Sequence, residues 1–355
     1  MHSQSIHRIT LGRRCGIVAS LIVVAGTSSV VEAASKAAPK VGTVANTAAV
    51  SRVTYGGRAA FRLSDGKTEA IIVPQIGRVM AYRFAGGPNV LWNHQSKTFK
   101  PDEWKNWGGD KTWPAPQSHW PVMSGKGWPP DPAWDGLPHR AQVLANRRLR
   151  MTSPVSKGFG ARVVREFYFN QAGEFVVEQA VEKRHGPPLM LSLWSVTQIT
   201  PPDAIFLPLN PQSIYKNNFH WIAPPKSEVS AKQISPTLLQ VRPVTATSFK
   251  IGADAPAVGA VAVSNGVAFV QRAPHPAGDY PDGALGHGFP VELWNNADPY
   301  YNELELLSPL RPLSGGSRWQ YTVRWSLHRL PSTDVNSPAV HSAVDKLLQA
   351  PWSGA

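Results

Sequence analysis

Eight prolines fall between Pro101 and Pro138, and seven of the thirteen tryptophans lie between Trp92 and Trp134. Proline fixes φ and donates no backbone hydrogen bond, so no regular helix or sheet can be written through Asn106–Gly136. The stretch reads N-W-G-G-D-K-T-W-P-A-P-Q-S-H-W-P-V-M-S-G-K-G-W-P-P-D-P-A-W-D-G. It is too aromatic for a solvated or disordered linker. It is therefore expected to be an ordered loop across one face of the fold, and long loops of that kind are usually functional. Among its indole rings it carries Asp110, Lys111, Gln117, His119, Asp131 and Asp135. Indole faces stack on the C–H faces of a sugar, and sugar hydroxyls need charged or amide partners. The combination points to carbohydrate. The opposing reading is a Trp plug at the end of a sandwich, and six polar side chains are hard to explain as filling. Turn formation accounts for Asp131 and Asp135, which sit beside Pro and Gly. No Ca²⁺-loop spacing is present, so no metal and no cofactor is expected.

The rest of the chain has the pattern of short strands. Ala161–Phe169 and Glu174–Glu182 flank the hairpin signal Asn170–Gly173, and Val258–Val263 and Val267–Arg272 flank Ser264-Asn265-Gly266. Leu189–Thr200, Glu303–Leu307 and Ser317–Leu327 continue the series. Ser337-Pro338 reads as a helix start, followed by an apolar stripe at Val340, Val344, Leu347 and Leu348. More than ten strands and one late helix imply an all-β chain built as a large antiparallel sandwich with a short C-terminal helix. The main domain is expected over residues 51–330, followed by a tail over 331–355. The net charge of +13 is scattered apart from Arg147–Arg150, and no nucleic-acid motif accompanies it.

Residues 1–33 resemble a secretory signal. Arg8, Arg13 and Arg14 precede the apolar segment Gly16–Val31, and small residues close it near Ala33. Residues 34–50 read as a disordered linker. Cys15, the one cysteine, lies inside the signal, so the mature chain is expected to contain no disulfide. A periplasmic or secreted location follows, with no transmembrane segment in the mature chain.

Three motifs carry a resemblance. P-Q-I-G-R-V-M-A-Y-R-F at Pro74–Phe84 is similar to early strands of the galactose mutarotase-like (aldose 1-epimerase-like) proteins. Y-N-E-L-E-L-L-S-P-L-R-P-L-S-G-G-S-R-W at Tyr301–Trp319 resembles the closing Glu strand of that superfamily. G-G-D-K-T-W-P-A-P-Q-S with W-P-P-D-P-A-W-D-G resembles a bacterial family within it. The resemblance covers roughly Tyr55–Leu330 and implies a carbohydrate-binding β-supersandwich. In such enzymes a Glu is the base at the anomeric hydroxyl and a His protonates the ring oxygen. By motif position Glu305 matches that Glu, with Glu303 on the same strand face. The strand that carries the acid His in those proteins here offers Trp194, Thr197 and Gln198. His119 is the first candidate to replace the acid, with His220 and Asp110 as alternatives. The expected sugar-binding residues are Trp107, Asp110, Lys111, Trp113, Gln117, Trp120, Trp194 and Gln198. Two function classes remain: a sugar epimerase using Glu305, and a non-catalytic carbohydrate-binding protein.

Overall fold

The computed structural model describes residues 49–94, 104–283 and 287–352. The expected signal, its cleavage site, Cys15 and nearly all of the expected linker lie outside the described residues. Where the sequence alternates, strands form: one parity of each packs inward and the other meets solvent or a site. Among the described residues these strands build two antiparallel sheets. The first runs β1 (Ala49–Tyr55), β2 (Arg58–Ser64), β3 (Thr68–Val73), β4 (Arg78–Phe84), β5 (Asp110–Ala115), β10 (Leu189–Ile199), β19 (Tyr301–Leu307), β18 (Val291–Asn296), β15 (Phe249–Ala253) and β12 (His220–Ala223). The second runs β13 (Ala231–Ser235), β14 (Leu238–Val241), β11 (Ala204–Pro208), β16 (Val258–Ser264), β17 (Val267–Ala273), β21 (Arg318–Arg329), β9 (Phe175–Lys183), β8 (Ala161–Phe169), β7 (Leu149–Thr152) and β6 (Arg140–Val143). A further strand, β20 (Arg311–Leu313), pairs with β10.

The main core lies between the sheets. Val79, Tyr82, Leu193, Leu293, Leu304 and Leu306 from the first sheet share it with Phe167, Phe175, Val323 and Trp325 from the second. The expected late helix is α2 (Pro338–Gln349), which follows the short helix α1 (Trp120–Ser124). Ser337 Oγ caps α2 by accepting from the Val340 N–H at 3.3 Å. Val340, Val344 and Leu348 bury against Phe206, Val261 and Val270 on the second sheet.

The Trp- and Pro-rich stretch is less irregular than its prolines suggest. Asp110–Ala115 is a strand inside the first sheet, and Trp120–Ser124 is helical. Strand β5 pairs with β10 along its whole length, Asp110–Ala115, but with β4 only at Asp110 opposite Val79. Beyond Asp110 the other edge of β5 has no ladder partner among the described residues, so Pro114, which lacks an N–H, is tolerated there. The first strand begins at Ala49, two residues inside the segment expected to be linker.

Candidate functional site

Alternation along β5 separates Asp110 from Lys111. Asp110 points between the sheets, where it pairs with Arg165 of β8 and accepts from Thr197 Oγ1 at 2.8 Å. Thr112 follows it and donates to Gln179 of β9. Lys111 and Trp113 lie on the opposite, open face. Gly108 and Gly109 are needed for close backbone approach. At Gly109, with φ +68°, a Cβ would lie 2.2 Å from the Val79 carbonyl oxygen. The glycines thus dock the strand against its neighbours rather than against a ligand.

On that open face, pairing aligns side chains in rows across four strands, β10, β19, β18 and β15. Gln198 stands opposite Glu303, Glu303 opposite Trp294, and Trp294 opposite Lys250. In the next row Val196 stands opposite Glu305 and Glu305 opposite Glu292. A cleft of about 680 Å³ opens over these rows. Glu303, Glu305, Lys250 and Trp294 line its floor, and Trp104, Trp113, Trp128 and Trp194 line its walls.

The charges are tightly partnered. Glu303 Oε1 accepts from Lys111 Nζ and from Gln198 Nε2, each at 3.0 Å. Among the described residues Glu303 Oε2 has no hydrogen-bond partner. Glu305 Oε2 accepts from Trp194 Nε1 at 3.1 Å and lies 3.0 Å from Lys250 Nζ. The same ammonium lies 2.5 Å from Glu292 Oε2, and Glu292 is fully buried. Burial pushes the Glu305 carboxyl above the usual carboxylate range; Lys250 opposes the shift and Glu303 adds to it. Burial raises Glu292 well above that range, again against Lys250. For Lys250, burial acts downward, but Glu292 and Glu305 together outweigh it and hold the ammonium protonated. Burial lowers the Lys111 pKa, and Glu303 opposes that fall. The physical outcome is one ammonium facing two carboxyls, each with a raised affinity for a proton.

The walls are an indole cluster. Ring centroids of Trp113 and Trp194 are 5.4 Å apart, and those of Trp104 and Trp128 are 4.8 Å apart. Lys111 Nζ lies 4.7 Å from the Trp113 ring, and Lys250 Nζ lies 4.6 Å from the Trp194 ring. Trp113 Nε1 is buried without a hydrogen-bond partner among the described residues. Trp128 is 54% exposed, and its ring lies parallel to buried Trp120 beneath it. Asp135, expected to serve only a turn, accepts from Trp104 Nε1 at 2.6 Å and pairs with fully buried Arg78. Trp104 is thereby fixed in the wall.

Of the residues expected at the site, Glu303, Glu305, Trp113, Gln117 and Trp194 line the cleft. Lys111 and Gln198 sit directly behind it, holding Glu303. Asp110 is between the sheets. Trp120 is a core residue whose Nε1 donates to the Pro114 carbonyl at 2.7 Å. Trp107 faces a neighbouring pocket under Arg58. His119 is exposed and does not line the cleft, although its charge is felt by Asp282. His220 lies against Tyr215 and Phe289, away from the lining. The sequence reading missed Lys250, Glu292, Trp294 and His94. Glu292 between Val291 and Leu293, and Lys250 between Phe249 and Ile251, carried the same signal that singled out Glu305: a charge in mid-strand among apolar residues. Among the described residues no group of three or more His, Cys, Asp or Glu is arranged to hold a metal ion, and no helix is long and apolar enough to cross a membrane.

No protein-family model matches the chain. Sequence comparison with curated proteins finds no match either. Among solved structures the chain is similar to a putative aldose 1-epimerase from Escherichia coli, with a TM-score of 0.50 and 11% identity over 80% of this chain and 100% of that one. A putative aldose 1-epimerase from Klebsiella pneumoniae aligns with a TM-score of 0.48 and 12% identity, over 85% and 88% of the two chains. A galactose mutarotase-like protein from Clostridium acetobutylicum aligns with a TM-score of 0.48 and 10% identity, over 79% and 98%. At these identities the likeness is one of fold, and the fold of this chain is the galactose mutarotase-like β-sandwich with a C-terminal helix.

Proposed function

We propose that the chain is an exported carbohydrate-binding protein of the aldose 1-epimerase type, with Glu305 as the base at an anomeric hydroxyl. The observation that carries this reading is the pair of carboxylates, Glu303 and Glu305, on one strand face of a tryptophan-walled cleft. Mutarotation requires a base at O1 and an acid at the ring oxygen. Glu305 takes the O1 proton as the bond from C1 to the ring oxygen breaks and the ring oxygen gains a proton. The open aldehyde rotates about C1–C2, and the reverse steps close the other anomer. A carboxylate whose proton affinity is raised by burial is a better base than one in water. Glu303 Oε2 is available to a sugar hydroxyl, and the indole faces stack on the pyranose. His94, the histidine in the cleft lining, is the proton donor in this scheme. The Arg-flanked apolar segment Gly16–Val31 supports a periplasmic or secreted location.

A second reading, sugar binding without turnover, is favoured by one observation. Glu303 and Glu305 are both held by lysine ammonium groups at 3.0 Å, an arrangement that also suits fixed hydrogen-bond acceptors. NMR exchange spectroscopy on aldoses, with the native protein and Glu305→Gln, decides between them. Loss of a positioned base lowers the exchange rate by about 100-fold or more. Equal acceleration by both proteins would remove Glu305 from the role of base. No acceleration by either, with sugar binding intact, would establish the binding reading.

A further inference from the structure

The cleft does not end at its tryptophan wall. A second pocket of about 550 Å³ adjoins it, and His94 lines both. Trp92 lines the second pocket and packs against Tyr301 of the first, with ring centroids 4.7 Å apart. Both pockets open on the same face of the first sheet. A bulge at Met80 contributes to this: Ile71 stands opposite Ala81, but Ile72 stands opposite Val79. The extra residue turns both Met80 and Ala81 away from the inter-sheet core, into a separate apolar cluster with Ile71, Val73 and Ile76.

The second pocket shares with the first an indole beside a cationic side chain. Trp107 packs on the apolar cluster, and the Arg58 guanidinium carbon lies 4.3 Å from the centre of its ring. The amides beside it are held rigidly. Asn93 Oδ1 accepts from the Tyr55 hydroxyl at 2.7 Å, and Asn93 Nδ2 and Asn89 Nδ2 each donate to the Met80 carbonyl at 3.0 Å. The amides are spent on Tyr55, Met80 and Leu91 and fix the pocket wall. The indole and the guanidinium form a surface suited to a second sugar ring, which presents C–H faces and hydroxyls together.

We infer that the two pockets are one groove and that its ligand is an oligosaccharide. The terminal ring occupies the Glu303–Glu305 cleft, and the attached rings pass His94 to lie against Trp107 and Arg58. This rests on the carbohydrate reading of the first cleft. It extends that reading from a single sugar to a chain of linked sugars.

The test is affinity against chain length. The unmodified protein is titrated, following tryptophan fluorescence and heat, with cello-, malto- and chito-oligosaccharides from monosaccharide to tetrasaccharide. Affinity is expected to rise by about tenfold when a further ring reaches the second platform. Trp107→Ala is expected to bring the ratio of trisaccharide to monosaccharide affinity close to one, and Trp107→Phe to preserve most of it. Should Trp107→Ala fold poorly, the chain-length ratio of the unmodified protein still decides. If monosaccharides bind and longer chains bind no better, the groove inference is overturned and the carbohydrate reading stands. If no saccharide in any series binds, the carbohydrate reading fails and the groove inference fails with it.

Discussion

Glu292 and Glu305 stand directly opposite each other on adjacent strands, and a single ammonium, that of Lys250, lies within 3.0 Å of both. Neither carboxyl has another cation that close among the described residues. Removing Lys250 therefore leaves two buried acids without a counter-charge. Breaking a buried pair in this way costs about 3–5 kcal/mol. Both carboxyls already have raised pKa values, so the folded protein holds protons there that the unfolded chain releases. Stability from such groups is present at low pH and is lost as pH rises through their folded pKa values. Lys250→Met enlarges the shift, so its deficit against the native protein is expected to be larger near neutral pH than near pH ~4. Urea midpoints at the two pH values measure this. A deficit independent of pH would show that the lysine acts through packing alone.

The same pair sets the pH dependence of any turnover. Burial raises the pKa of Glu305, and Lys250 holds it down. The acid limb of an exchange-rate profile is expected above the ordinary carboxylate value, and Lys250→Met is expected to move it to higher pH. An unmoved limb in a folded variant would separate the limb from Glu305.

Gly57 and Gly109 isolate a close contact from a backbone angle. Their φ values are +76° and +68°, but a Cβ at Gly57 meets nothing within 4 Å and one at Gly109 meets the Val79 carbonyl at 2.2 Å. Both alanine variants carry the strain of a left-handed backbone. Only Gly109→Ala must also push β5 away from β4. Its cost is expected to exceed that of Gly57→Ala by more than about 1 kcal/mol in chemical unfolding. Equal costs would mean that β5 relaxes freely.

The parts of this fold legible in the sequence were those with local signals. Hairpins around Asn170–Gly173 and Ser264–Gly266, and the capped helix at Ser337, each announce themselves within a dozen residues. Glu303 and Glu305 were legible because carboxylates in mid-strand beside leucines need a partner. The partners were not legible. Lys111 reaches Glu303 across 192 positions of sequence, and nothing in one chain records that pairing. Reading Asn106–Gly136 as a loop also removed the information in its period. Once β5 is a strand, Asp110 and Lys111 must face opposite ways, and only one of them can serve the cleft.

His139 supplies a separate pH response in the fold. Its ring is buried, and burial followed by the nearby charge of Arg165 pushes its pKa from 6.5 down to about 4. In the unfolded chain the ring takes a proton at its ordinary value. Between these two values the unfolded state binds more protons, so stability falls as pH is lowered through that window. At 1.36 kcal/mol per pH unit the loss is roughly 3 kcal/mol. His139→Gln is expected to lose less stability than the native protein between pH ~7 and pH ~4.5. Comparing the two proteins cancels the contribution of other groups. Parallel loss in both would show that His139 is not the group that titrates.

Trp120 and Trp128 allow platform and core to be told apart. Their rings are parallel with centroids 6.4 Å apart, yet Trp120 is 2% exposed and Trp128 is 54% exposed. Trp120 also donates its N–H to the Pro114 carbonyl. Truncating it removes a large buried ring and leaves that acceptor unpaired, so Trp120→Ala is expected to cost about 3–5 kcal/mol. Trp128→Ala removes a ring that is half in solvent at the edge of the cleft, so its effect on stability is expected to stay near ~1 kcal/mol or below. If the cleft binds sugars by stacking, the same change lowers affinity by about 3- to 10-fold, the range expected for one lost aromatic contact. Fluorescence titration with aldoses and urea unfolding of both variants give the two measurements. Loss of affinity without loss of stability in Trp128→Ala marks that ring as part of the binding platform. Unchanged affinity in a fully stable Trp128→Ala protein would remove the exposed ring from the site and leave stacking to Trp113 and Trp194.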